Sequence, residues 1–199
     1  MIDARTRKMV EQHQAWVASS GQAGRQLVSE DLDFRGARLP EIELLDAEIP
    51  GADFSAASMA RTDLSGCNLA SAKFERADFS NAALVKSNLD YADFTSARLA
   101  GANLRRASLI EAILTEADLD HADLRGADLS GANLRGASLV GSQLDDVFLD
   151  GTKLGGARLR GATGIESLVK CRIDVGVSGA PDLREGEAAR QWLLEAAKA

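Results

Sequence analysis

Residues 122–136 read Ala122-Asp123-Leu124-Arg125-Gly126-Ala127-Asp128-Leu129-Ser130-Gly131-Ala132-Asn133-Leu134-Arg135-Gly136, three passes of one five-residue sentence. The same rule runs outward in both directions, from Phe34 to Leu159, without a gap. Of its 26 central positions, 19 are Leu, five Phe, one Ile and one Met. Two places before each lies a small residue, Ala in 18 of the 26 units; the exceptions are Leu32, Ile42, Thr62, Cys67, Ser87, Ser142, Val147 and Thr152. A period of five fits neither regular element. On a helix it advances by ~500° and spirals the leucines round the surface. On a flat strand it sends successive leucines to opposite faces. A chain that turns a corner after every unit points each large residue inward, with its small neighbour filling the same interior.

Phe34, Phe54, Phe74 and Phe94 are spaced by 20, and Leu114, Leu134 and Leu154 continue the series. Four units per circuit stack these rings above one another, where offset aromatic packing is favourable. With this pattern in hand, the chain resembles the pentapeptide repeat proteins, whose consensus is A(D/N)LXX, over roughly residues 32–161. The resemblance implies an all-β solenoid, a right-handed quadrilateral β-helix of about six and a half coils. At ~4.8 Å per coil the rod is about 31 Å long.

Flanking segments differ. Residues 1–31 form an N-terminal leader, with a helix expected over 3–18 whose Met9, Val10, His13, Trp16 and Val17 share one face. The run His13-Gln-Ala-Trp-Val17, then Gly21 and Gly24, is similar to a leader found before many such arrays. Residues 162–199 hold an irregular last coil, broken at Gly164 and continued by Leu168 and Ile173. A C-terminal helix running to about Lys198 follows, started by an Asp182/Glu185 capping box. Leu183, Ala189, Trp192, Leu193 and Ala196 are the candidate cap residues. Both helices are expected as lids on the open ends, which otherwise invite edge-to-edge association. The resemblance to topoisomerase-protecting relatives implies that the C-terminal lid can also serve as a dimer contact.

The chemistry of the 199-residue chain is sparse. It has 30 acids against 23 bases (net −7), which disfavours a general nucleic-acid or anionic-membrane binder. Its two cysteines, Cys67 and Cys171, form no framework or zinc motif, and their sites are about five coils apart, outside disulfide reach. The N-terminus is charged and no apolar run reaches membrane-spanning length, so a cytoplasmic location is expected. No cofactor is expected, because a filled tube offers no concave, partly dry site. Glycines recur at corners, where positive φ is useful. A metal-dependent enzyme is the remote alternative, since His121 lies among Asp118, Asp120 and Asp123. Yet an acid before the central Leu is simply the repeat's consensus.

Function is therefore expected on the walls. Assigning residues 33–161 to four sides, by central residues Phe34, Leu39, Leu44 and Ile49 and their 20-residue successors, gives acid-to-base counts of 5:5, 4:5, 6:4 and 5:0. Side 4 carries Glu48, Asp90, Glu111, Asp128 and Asp150, with Tyr91, Ile110 and Phe148 at outward positions. These eight residues are the candidate interaction face for a protein partner. The family resemblance raises one alternative, a DNA-shaped decoy binding DNA gyrase or topoisomerase IV and protecting it from quinolones or toxins. Ser167–Val175 resembles the ends of such members. A ~31 Å segment of DNA carries about 18 negative charges, whereas the rod's 20 acids and 14 bases leave −6. As a whole-surface mimic it is poor.

Overall fold

A computed structural model describes residues 2–39, 42–168, 171–177 and 181–199. The unit Asn103–Ala107 shows why this sequence coils. Leu104 N–H donates to Asp123 O in the next coil (2.8 Å) and Asn103 N–H to Ala82 O in the previous one (2.9 Å). Arg106 N–H donates to Arg125 O (3.0 Å), and Ala107 N–H closes the turn on Leu104 O (3.0 Å). The remaining N–H, that of Arg105, is taken by the Asn103 side chain (3.3 Å). All five donors of the unit thus have acceptors, as a buried backbone requires. The Asp or Asn of the repeat is an Asx-type cap reaching two residues on. The same contact joins Asp53 to Ser55, Asp78 to Ser80 and Asp118 to Asp120.

Parallel ladder pairs link residues 20 apart, from Val28–Glu48 to Gln143–Thr163, so four pentapeptides make one circuit. Each corner sets one residue at positive φ, glycine at Gly126 (φ 69°) but Tyr91 at 61° and Arg106 at 57°. Such a residue suits the third place of a β-turn.

The interior is closed. The central residues from Leu44 to Leu134 are 0–1% exposed. Phe34, Phe54, Phe74 and Phe94 stack with centroids 4.5, 5.3 and 4.4 Å apart, and Phe79 meets Phe74 edge-on at 88°. Three polar residues at the small position donate to carbonyls of the coil before, Cys67 Sγ to Leu44 O (2.9 Å), Ser87 Oγ to Leu64 O (3.0 Å) and Thr152 Oγ1 to Leu129 O (2.8 Å), while Thr62 and Ser142 donate to Met59 O and Leu139 O of their own coil. Burial pushes the Cys67 thiol up to about 12. Leu32, Leu39 and Ala157, near the ends, are only partly buried.

At the N-terminal mouth lies α1 (Ala4–Ala18), whose cap Asp3 accepts from Arg5 and Thr6 N–H. Thr6, Val10 and His13 are buried, with Met9, Trp16 and Val17 half-buried. The chain then doubles back. At Gly24 a Cβ would lie 2.1 Å from Gln12 O, so only glycine fits the approach.

At the other mouth, β1 (Thr152–Lys153), β2 (Arg172–Asp174) and β3 (Leu183–Glu185) form a three-stranded sheet ahead of α2 (Gly186–Ala196). Thr152 pairs with Ile173, an interval of 21, so the last circuit holds one residue more than the others. The expected capping box does not form. Glu185 precedes α2 without a side-chain cap bond, and the Asp182 carboxylate pairs with Arg184 (3.0 Å). The reason is competition from β2, whose free edge takes residues 183–185 as an antiparallel partner. That ladder holds the segment extended where the helix was expected. The helix also stops at Ala196, short of Lys198.

Candidate interaction face

Side 4 is organised by three columns running down the tube. The ladder column is Val28, Glu48, Asn68, Asn88, Ser108, Asp128 and Phe148, joined rung to rung. Asp90, Ile110 and Asp150 follow the central residues, and Tyr91 and Glu111 stand at the corner beyond. Tyr91 N–H donates to Ile110 O (2.9 Å), tying the corner column to its neighbour one coil on. All eight residues expected on this face are therefore brought to one wall.

Their chemistry is less uniform than their charge. Asp128 caps Ser130 N–H (2.9 Å). Ser108 occupies a place usually held by Asp or Asn, and its carboxylate is supplied from one coil earlier. Asp90 accepts from Ser108 Oγ (2.5 Å) and Ile110 N–H (3.0 Å). Asp120 repeats the device with Ser138 and Val140 N–H. Asp150 lies 3.6 Å from Arg172, a base that enters this wall from the irregular coil, beyond the span counted in the sequence. Glu48 and Glu111 are exposed, and the Glu111 carboxylate lies over Gly131, 2.6 Å from where a Cβ would stand. Tyr91 is 63% and Phe148 60% exposed, while Ile110 is half-buried. Beside Phe148 an open groove of 350 Å³ is lined by Ser130, Leu149, Leu168 and Cys171.

The candidate cap residues divide. Ala189 and Leu193 are fully buried, Trp192 and Ala196 partly so, and Leu183 stands 64% exposed on β3. The Ser167–Val175 stretch includes residues 169 and 170, which lie outside the described residues. Around His121, Asp118 caps Asp120 N–H (3.1 Å), and Asp123 makes paired bonds to Arg125 (2.8 and 2.6 Å). That guanidinium holds the Asp123 carboxyl below its usual range. Among the described residues no group of His, Cys, Asp or Glu is placed to hold a metal ion, and no helix is long and apolar enough to cross a membrane. Sequence reasoning missed Val28, 56% exposed at the head of the ladder column, because it precedes the regular array.

The family described as pentapeptide repeats matches in eight copies, over residues 30–66, 47–84, 87–126 and 122–161. Among solved structures, the chain is similar to HetL from the cyanobacterium Nostoc sp. strain PCC 7120, a pentapeptide repeat protein involved in heterocyst differentiation regulation. The identity is 32% over 74% of this chain and 67% of that one, with a TM-score of 0.50. It is also similar to a trypsin-treated form of QnrB1, a plasmid-mediated fluoroquinolone resistance protein. There the identity is 21% over 69% of this chain and 76% of that one, with a TM-score of 0.58. No curated protein sequence matches.

Proposed function

This chain belongs to the pentapeptide repeat family and folds as a right-handed β-helical solenoid, and from that premise we propose that it acts without catalysis, by presenting side 4 to a protein partner. In this reading the array makes about six and a half coils and the two helices cap its ends. The carrying observation is the pair Tyr91 and Phe148, each at least 60% exposed on a wall with no Lys or Arg between residues 33 and 161. The interior already absorbs the central residues, so these rings are not needed by the core. Exposed aromatics beside a polar rim are typical binding anchors. HetL is involved in heterocyst differentiation regulation, and a regulatory relative supports action by binding.

Tyr91→Ser with Phe148→Ser tests the reading. The double variant keeps its circular dichroism and melting temperature but loses the partner retained by the wild type, whereas Arg76→Glu on another side retains it. An unchanged capture profile contradicts the assignment. Asp90 and Asp128 are unsuitable probes, because both cap backbone donors.

The topoisomerase decoy is the alternative, and at 21% identity the QnrB1 likeness speaks for fold alone. A gyrase supercoiling assay, with and without a quinolone, is expected to show neither inhibition nor protection at tens of micromolar protein. Either effect would favour the decoy.

A further inference from the structure

The two long edges of side 4 carry opposite charge at the same height. On the edge shared with side 3, Lys86 N–H bonds to Arg105 O (2.9 Å) and Arg106 N–H to Arg125 O (3.0 Å), which stacks four bases over three successive coils. On the far edge stand Asp90, Tyr91 and Glu111. Lys86 and Tyr91 are successive corners of one circuit, and Arg106 and Glu111 of the next. The Arg106 side chain runs over Gly126, its Cγ 3.4 Å from where a Cβ would sit, just as Glu111 runs over Gly131. Both side chains therefore lean toward the following coil at the same height, on opposite edges of a wall about 10 Å wide. Among the described residues, Lys86, Arg106 and Glu111 make no ion pair. Toward the C-terminus the signs exchange, with Asp145 and Asp146 on the first edge and Arg172 on the second.

Such a wall pairs with a copy of itself when opposite edges are brought together. A twofold axis parallel to the tube lays each basic edge on the acidic edge of a second copy without changing height. Arg106 then meets Glu111 of that copy, twice over, and Tyr91 lies under Lys86 as a cation–π partner. A twofold axis across the tube, midway between the heights of Lys86 and Arg106, would instead oppose these two bases. We propose that side 4 docks against side 4 of a second copy of this chain, with the tubes side by side and parallel. This rests on the reading of side 4 as an interaction surface and names its partner. The isologous contact closes on itself, so it stops at a dimer. A wall about 10 Å wide and 31 Å long buries on the order of 600 Å² in total, the size of a transient contact. The association is therefore reversible and weak, with the charge pairs setting its register.

Sedimentation equilibrium from low to high micromolar concentration tests this with the full chain. The wild type is expected to show a concentration-dependent dimer. Arg106→Glu alone and Glu111→Arg alone each place like charges in contact, and each weakens association by at least ~tenfold. Mixing the two variants makes every facing pair opposite in sign, and association returns to wild-type strength or better. Both positions already carry non-glycine residues at positive φ, so neither exchange adds a new backbone demand. Leu183→Asp on the exposed strand β3 leaves the dimer intact. A wild type monomeric throughout, a mixture no stronger than its components, or loss of the dimer in Leu183→Asp would overturn the proposal. If the wild type stays monomeric while Tyr91→Ser/Phe148→Ser still loses a captured protein, the dimer falls and the interaction surface stands.

Discussion

The two ends of the tube meet their flanking elements through different chemistry. At the N-terminal mouth one helix holds the returning chain: Gln12 O accepts Arg25 N–H (3.1 Å), and His13 Nδ1 accepts Leu27 N–H (2.9 Å) in a fully buried setting, its ring stacked on Trp16 at 5.5 Å. At the C-terminal mouth the tube grows true strands, and β3 pairs antiparallel to end the parallel ladder. Arg135 grips Asp174 (2.5 Å), which also accepts from Gly176 and Asp182 N–H, and Gly161 N–H reaches Ala197 O beyond α2 (2.7 Å). One end includes a buried imidazole whose neutral form makes a backbone contact. The other gathers its contacts on a carboxylate, Asp174, which burial pushes up but those contacts hold below its ordinary range.

That difference breaks most visibly at Leu193, fully buried where α2 meets the tube. Leu193→Ala is expected to cost about 2–5 kcal/mol, the range for a buried leucine. Hydrogen exchange should accelerate in β3 and α2 while α1 is unchanged. Arg135→Ala comes next, at roughly 1–2 kcal/mol, because Arg135 is 31% exposed and solvent screens part of the pair. Faster exchange confined to β2 and β3 is its signature.

The N-terminal mouth answers to acid instead. Burial lowers His13 from its ordinary 6.5, with the backbone at Leu44 and Leu45, and then the Asp46 charge, opposing the shift only in part. The fold holds the imidazole neutral, and the unfolded chain takes up the proton below 6.5, so this contribution is present above that pH and is lost as pH falls further. At about pH 5, α1 amides should lose protection relative to neutral pH, once the intrinsic slowing of exchange in acid is divided out, and those of α2 should not. His13→Gln should abolish the dependence. The smallest effect touches neither end. Ala56→Gly relieves a left-handed alanine (φ 56°) and should stabilise the tube by up to about 1 kcal/mol, leaving exchange at both mouths unaltered.

The array was legible because its period repeats often enough to exclude a helix and a flat strand, and the phenylalanine spacing gave the circuit. What the sequence could not display was which groups are already engaged. Asp90 and Asp128 count as acids on side 4, but both carboxylates accept backbone donors. Arg172 reaches the same wall from beyond the regular span, through a circuit one residue longer. Asp182 and Glu185 have capping-box spacing, yet a bare strand edge nearby claims their segment, and local spacing carries no record of that edge.

Paired alanine-to-leucine exchanges test the division between filled interior and open wall most directly. Ala127, fully buried at the small position, and Ala100, partly exposed after a central leucine, receive the same added volume. Equilibrium unfolding should show Ala127→Leu destabilised by about 1–3 kcal/mol or more, and Ala100→Leu within about 0.5 kcal/mol of wild type. Equal losses, or a larger loss at Ala100, would contradict the inward ladder and the assignment of recognition to the walls.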